Sequence, residues 1–279
     1  MAREQWIIAP GQGRIIDVDD VHRLKVSLNR GHIDVIGHDE PGARIEIDGV
    51  TGKDLSVTLE DGQLTIDHPQ LGWENFVSVF RGFRGTASAS VSILVPHHVA
   101  LTFGVVSAEG LVSGVYGTAS VSTVSSAIVV DRCRGDLQVN AVSGELVVRA
   151  HEGRVTAHTV SGEVTVSGTI DQLTCDSVSG DMVADLQGSP AAVRANSVSG
   201  DVLVRVPADT PVNYRLNSVS GRVQLGENEF RGVKGGFSGS WPAATSGAAR
   251  TLNLKVNTVS GRITALHGAG TSAPAEAVR

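Results

Sequence analysis

A chain of 279 residues that is 41% hydrophobic holds enough apolar text for one large domain or two ordinary ones. Only 4% of it is aromatic, which fits poorly with an enzyme pocket lined by rings, and its net charge of −6 argues against a general nucleic-acid surface. No run reaches the roughly 18 apolar residues of a membrane helix, and MAREQWIIAP lacks the apolar core of a leader, so the expectation is a cytoplasmic chain without direct membrane insertion.

Residues 1–12 read as a loose lead-in held by Trp6 and Ile7. Residues 13–100 then run strand after strand, as a degenerate form of the repeat met later: RIIDV, LKVSL, HIDVIG, ARIEIDG, LSVTLE and QLTID. Two pieces, Gly31-His32-Ile33-Asp34-Val35 and Gly62-Gln63-Leu64-Thr65-Ile66, carry a glycine followed by alternating apolar residues. Glu60-Asp61-Gly62 between two alternating runs predicts a tight hairpin. Residues 70–85 break the pattern with Trp73, Phe76, Phe80 and Phe83 beside Arg81 and Arg84. The first expectation is a loop folding its rings over the open end or side of the domain. The sharper one is an interface anchor, since aromatics and Arg carry binding energy once buried against a partner. The basic charge is too local to favour nucleic acid.

A strand over 86–96 ends at Pro96. VPHHVALTFGVVSAEG after it parallels VPADTPVNYRLNSVSG at 206–221, as though one approach to a rung were used twice. From 101 to 267 a single phrase recurs: Val-Ser-Gly, mostly followed by an acidic residue, then an alternating apolar strand. Its valines are Val142, Val160, Val178, Val198, Val219 and Val259, at steps of 18, 18, 20, 21 and 40; Val124 and Val106 extend the period backwards. Each turn holds two short period-two runs, such as Leu137 with Val139 and Leu146 with Val148. Two short strands bury little alone, but stacked turns bury each other. The predicted fold is therefore all-β: a single-stranded parallel β-solenoid of 18–21 residues per turn, with the phrase valines piled into one apolar pillar. Residues 226–250 hold six glycines and no alternation and read as a mobile excursion, with Phe230, Phe237 and Trp241 offering apolar contacts. LNLKV and NTVSGRITAL close the solenoid, and residues 268–279 read as a disordered tail.

Two ladders bear chemistry. Two residues before each valine stand Asn140, His158, Asp176, Asn196, Asn217 and Asn257, a column expected to hydrogen-bond along the axis. After each glycine stand Glu145, Glu163, Asp181 and Asp201, then Arg222 and Arg262. The four carboxylates are expected to be a solvated face; the sharper alternative is a cation ladder, since neighbouring carboxylates and hydroxyls supply oxygen ligands. Cys133 and Cys175 occupy different places in their turns and read as free thiols. His97-His98, adjacent on a strand, point apart. No phosphate-binding loop, nucleophile elbow or zinc motif occurs, so no catalytic residue, cofactor or enzyme activity is expected.

The recurring T/S-V-S-G-D/E-V-x-V phrase, with Val-Pro leading into a turn, resembles a bacterial family of β-strand-repeat adhesins of unknown function, the toast-rack domain, over roughly residues 14–267. The resemblance implies a β-solenoid wound as a right-handed β-helix, with some relatives tied to cell-envelope stress systems. It supplies no catalytic residue. The expected function is a non-enzymatic scaffold or protein-interaction module, reaching the envelope through a protein partner and able to self-associate through a sheet edge or solenoid end. The alternatives are an envelope adhesin or glycan binder and, behind these, a carbohydrate-active enzyme.

Overall fold

The computed structural model describes residues 3–68, 87–208, 210–226, 228–231, 235–241 and 250–268, and among them every regular element is a strand. The N-terminal part supplies β1 (Arg3–Ile8), β2 (Arg14–Val18), β3 (Arg23–His38), β4 (Ala43–Thr51), β5 (Leu55–Glu60), β6 (Gln63–Asp67) and β7 (Ser88–Pro96). The middle supplies β8 (Ala100–Ser113), β9 (Tyr116–Thr123), β10 (Ile128–Asp131), β11 (Arg134–Ala141), β12 (Glu145–Thr159), β13 (Glu163–Ser177), β14 (Met182–Leu186), β15 (Ala192–Ser197) and β16 (Val202–Val206). The chain finishes with β17 (Val212–Ser218), β18 (Arg222–Leu225), β19 (Asn228–Arg231), β20 (Gly235–Trp241), β21 (Leu252–Thr258) and β22 (Ile263–His267).

These strands build two stacks. One runs β1, β5, β6, β3, β8, β9, β11, β12, β13, β15, β21, β17, β20. The other runs β2, β4, β7, β3, β8, β10, β12, β13, β14, β16, β22, β18, β19. Strands β3, β8, β12 and β13 bend round a corner and serve both. Between the antiparallel ends, from the pairings of β3 with β6 and β7 through to those of β21 with β17 and β22 with β18, every pairing is parallel, and Val139 lies in register with Ala157 and Val121, as the 18-residue step requires. Inward residues of both stacks, among them Leu137, Val139, Leu146 and Val148, meet in one continuous core. The chain is a parallel β-solenoid, as the period predicts.

The two ends depart from the simple coil. Residues 3–8 are not a loose lead-in: β1 pairs antiparallel with β5 and forms an edge. Much of the N-terminal third is likewise antiparallel, with β5 on β6 and β4 on β7. The β5–β6 hairpin turns at Asp61 and Gly62, both at positive φ, as expected for a two-residue turn. At the far end, part of the glycine-rich excursion is ordered, because β19 pairs antiparallel with β18 and β20 with β17. Antiparallel strands thus cap both ends of the parallel stack.

The rungs also do not follow chain order. Strands β21 and β22 lie between β15/β16 and β17/β18 rather than beyond them. At the other end, β3 lies between β6/β7 and β8. The two Val-Pro segments mark these places. After Pro96 the chain steps from β7 over β3 to β8, and after Pro207 it steps from β16 over β21 and β22 to β17. Each segment is a short turn, with the Val99 N–H donating to the Pro96 carbonyl and the Thr210 N–H to that of Pro207. The 40-residue step in the valine series is the trace of this intercalation.

Candidate functional site

The repeated phrase forms one corner of the solenoid. From Val160 onward the residue before each phrase valine points inward, and its hydroxyl accepts a hydrogen bond from the glycine N–H three residues on: Thr159 from Gly162 at 2.9 Å, Ser177 from Gly180, Ser197 from Gly200 and Ser218 from Gly221 at 2.8 Å, and Thr258 from Gly261 at 3.0 Å. This is the local Ser/Thr turn, in which a side chain takes the place of a backbone acceptor. The glycines are required by crowding. A Cβ on Gly180 would lie against the Gly162 carbonyl oxygen, well inside van der Waals contact, and Gly200 and Gly261 face the same obstruction from the rung beneath.

With the hydroxyl turned in, the next residue must turn out. The phrase valines do stack, but on the outside. The Ser161 N–H donates to the Val142 carbonyl, Ser179 to Val160, Ser199 to Val178, Ser260 to Val198 and Ser220 to Val259, each between 2.9 and 3.0 Å. The same serine hydroxyls reach those carbonyls at 3.1 to 3.4 Å. The expected interior pillar is therefore a surface ridge, in the order Val160, Val178, Val198, Val259, Val219, with exposures from 46% to 65%. Val106, Val124 and Val142 continue it half-buried. The core columns are made by other residues, the alternating ones of the strands.

Beside the ridge runs the acidic column. Glu145 and Glu163 stand in register. Asp181 Oδ1 accepts from the Asp201 N–H at 2.8 Å, and Asp201 Oδ1 from the Arg262 N–H at 2.7 Å. Two of the four carboxylates thus hold up the next rung. Among the described residues, no group of three or more His, Cys, Asp and Glu side chains is placed to hold a metal ion.

On the other side of the ridge the polar column is hydrogen-bonded along the axis. Asn217 Nδ2 donates to Asn257 Oδ1, Asn257 to Asn196 Oδ1 and Asn196 to Asp176 Oδ1, each at 2.6 Å, while Asp176 also meets His158 at 3.2 Å. Two residues further from the corner, on the same outer face, Arg194, Lys255 and Arg215 stand in register on β15, β21 and β17. A groove of about 560 Å³ lies over this face, lined by these three cations and by Gln172, Thr174, Asn213 and Asn253. Nothing in the chain's repeat phrase announces this array, because the three residues lie outside it.

Cys133 and Cys175 are free and buried, and burial pushes both thiols up, Cys175 to about 12. The His97 ring stacks on Tyr116 with centroids 4.3 Å apart, and the Arg134 guanidinium lies 4.9 Å from the centre of the same ring. Of the expected contact residues, Phe237 stacks on Tyr214 at 5.7 Å and packs against the core, so it closes the chain's own end. Phe230 and Trp241 fall on β19 and β20, their side chains beyond the described residues, while Trp73, Phe76, Phe80, Arg81, Phe83 and Arg84 lie outside those residues altogether.

Among the described residues no helix is long and apolar enough to cross a membrane. No curated protein matches the chain. Among solved structures, a "putative lipid binding protein" from Parabacteroides distasonis is similar at 14% identity and a TM-score of 0.57, covering 93% of this chain and 99% of that one; it shows a shared fold. A "putative cell adhesion protein" from Clostridium sporogenes is similar at 11% identity and a TM-score of 0.26, covering 96% and 99%. The Toastrack DUF4097 model matches residues 17–265, and the chain belongs to that family.

Proposed function

We propose that this chain is a non-enzymatic scaffold that binds a protein partner along the valine ridge. The observation that carries the reading is the ridge itself: Val160, Val178, Val198, Val259 and Val219 form a row of exposed β-branched side chains. Contiguous exposed apolar surface of this kind marks interaction sites. The backbone beneath is fixed by hydrogen bonds from rung to rung, so little ordering is needed on binding. The partner it fits presents an apolar strip of its own. The reading keeps the cytoplasmic placement, with contact to the envelope through that partner. Capture from native cells with the intact chain and with a V178T/V198T/V259T variant tests it. Threonine keeps the branched shape and replaces one of the two methyls with a hydroxyl, so the bound partner should be lost from the variant while its melting is unchanged. Equal recovery on both chains would exclude the ridge as the binding surface.

A further inference from the structure

Several outward cations along the parallel stack have a carboxylate partner. Arg134 meets Glu152, Arg154 meets Asp136, Arg205 meets Asp185 and Arg250 meets Asp171, at 2.9 to 3.4 Å. Arg194, Lys255 and Arg215 differ in being both unmatched and gathered in one place. They are exposed, they occupy one column on three consecutive strands, and among the described residues no carboxylate pairs with them. Like charges one strand spacing apart, about 4.8 Å, repel each other.

The surroundings of this column are equally specific. Towards the middle of the solenoid the same column continues as Thr174, Thr156, Gln138, Ser120 and Thr102, all uncharged. Side chains two residues away share its face. On one side these are Ala192, Asn253 and Asn213, and on the other Asn196, Asn257 and Asn217. Five of these six flanking residues are amides. Two carboxylates of β13 are already engaged, Asp176 by Asn196 and His158 and Asp171 by Arg250.

We propose that this face binds a linear, carboxylate-bearing polysaccharide, a polyuronate chain laid along the solenoid axis. A uronate unit is about as long as the spacing between neighbouring strands, and because neighbouring units are turned about the polymer axis, alternate carboxylates face the column and fall two rungs apart, as Arg194 and Arg215 do. Arg194 and Arg215 offer planar forks suited to carboxylate, with Lys255 between them as a point charge. Each flanking amide of the axial ladder spends one N–H along the axis and keeps a second N–H and an oxygen lone pair, which answer the hydroxyls of a sugar. The groove spans the sheet face from Gln172 and Thr174 on β13 to Ser238 and Ser240 on β20, a run of strands along which an extended polymer can lie. The three columns carry no aromatic ring, and Tyr214 in the groove lining is already stacked on Phe237, which disfavours stacking of the bases of single-stranded nucleic acid. They offer no large apolar side chain either, which disfavours a lipid surface. This site lies on the sheet face, apart from the corner valines, and stands or falls independently of the protein-binding reading.

Calorimetric titration of the full chain with short galacturonate oligomers tests it. Binding should be seen, should weaken as salt is raised, and should be absent with a neutral oligosaccharide of the same length and linkage. The R194Q, K255Q and R215Q substitutions should each weaken it about tenfold, and the triple variant should abolish it with melting unchanged. R134Q, which removes a cation that already has its partner, should leave binding intact. Absence of oligouronate binding by the intact chain would overturn the proposal. So would equal binding by the triple variant, or a preference for inorganic phosphate, phosphatidylserine vesicles or a single-stranded oligonucleotide over the oligouronate.

Discussion

At the residue scale the corner phrase is a small machine for turning the chain without leaving a backbone group unpaired. Its hydroxyl is the part that can be tested most cleanly. Ser197→Ala leaves the Gly200 N–H without its 2.8 Å acceptor in a buried place and should cost about 1 to 2 kcal/mol, read from denaturant midpoints. Gly180→Ala is expected to cost more, about 3 kcal/mol or above, because its methyl group meets backbone and not a movable side chain. If the alanine at 180 were tolerated as well as the one at 197, the stacked-glycine account would be wrong. The thiols make a second test. With Cys175 at about 12 and Cys133 also raised, iodoacetamide at pH 8 should label neither in the folded chain and both after denaturation.

His151 gives the third. It is buried, and burial lowers its pKa from the ordinary 6.5, against smaller upward pulls from the Gly135 and Arg154 backbone and from Glu152 and Asp136. The unfolded chain then takes up a proton on this ring that the folded chain refuses. Stability should be full above pH 6.5 and fall as the pH drops below it towards the depressed folded value. His151→Leu should flatten the melting-temperature profile in that window, and an unchanged slope would assign the acid sensitivity elsewhere.

At the element scale each rung is a copy of its neighbour, and this decides what the sequence reveals. The middle rungs were legible because glycine, hydroxyl and alternating apolar residues recur at one period. The side on which the phrase valines lie was legible too, by parity. Val139 and Ala141 are inward, so Val142 falls out of step and leaves the interior; weighing the valine by hydrophobicity alone gives the opposite answer. The caps were not legible. Alternation is the same in parallel and antiparallel strands, and β20, with three glycines in seven residues, has too few side chains to show any. The cationic array was hidden for a different reason: Arg194, Lys255 and Arg215 are far apart in the sequence and become neighbours only through the order of the stack. The amide column reports that order directly. Asn257→Ala removes the donor to Asn196 and the acceptor from Asn217, and should cost about 1 to 2 kcal/mol. Asn140→Ala, whose contact to Ser122 is 3.4 Å long, should cost less than half of that; equal losses would show that the column is not a connected ladder.

At the scale of the whole molecule, stability in a stacked repeat is a sum over neighbouring layers. The order of those layers could not be read from the phrases, because the rungs of Val219 and Val259 carry the same signals: asparagine two residues before the valine and arginine after the glycine. Either fits on Val198. Their arrangement makes a distinct forecast for shortening the chain. In a simple coil, ending the protein at residue 250 would remove an outer layer and expose the one beneath. Here it would remove β21 and β22 from the interior and separate β17 and β18 from the rest. Hydrogen exchange should then lose protection across residues 212–225 and keep it across residues 134–186. Retained protection over 212–225 would contradict the intercalated order.

The same intercalation bears on how the protein carries load. A coil whose last layer is also its outermost can be peeled from its tail, one row of bonds at a time. In this chain the tail end is gripped on both sides, by β15 and β16 below and by β17 and β18 above. Tension applied at the C-terminal side has to draw that segment out from between two neighbours, so both rows of bonds resist together. A tether joined there would be held by a clamp.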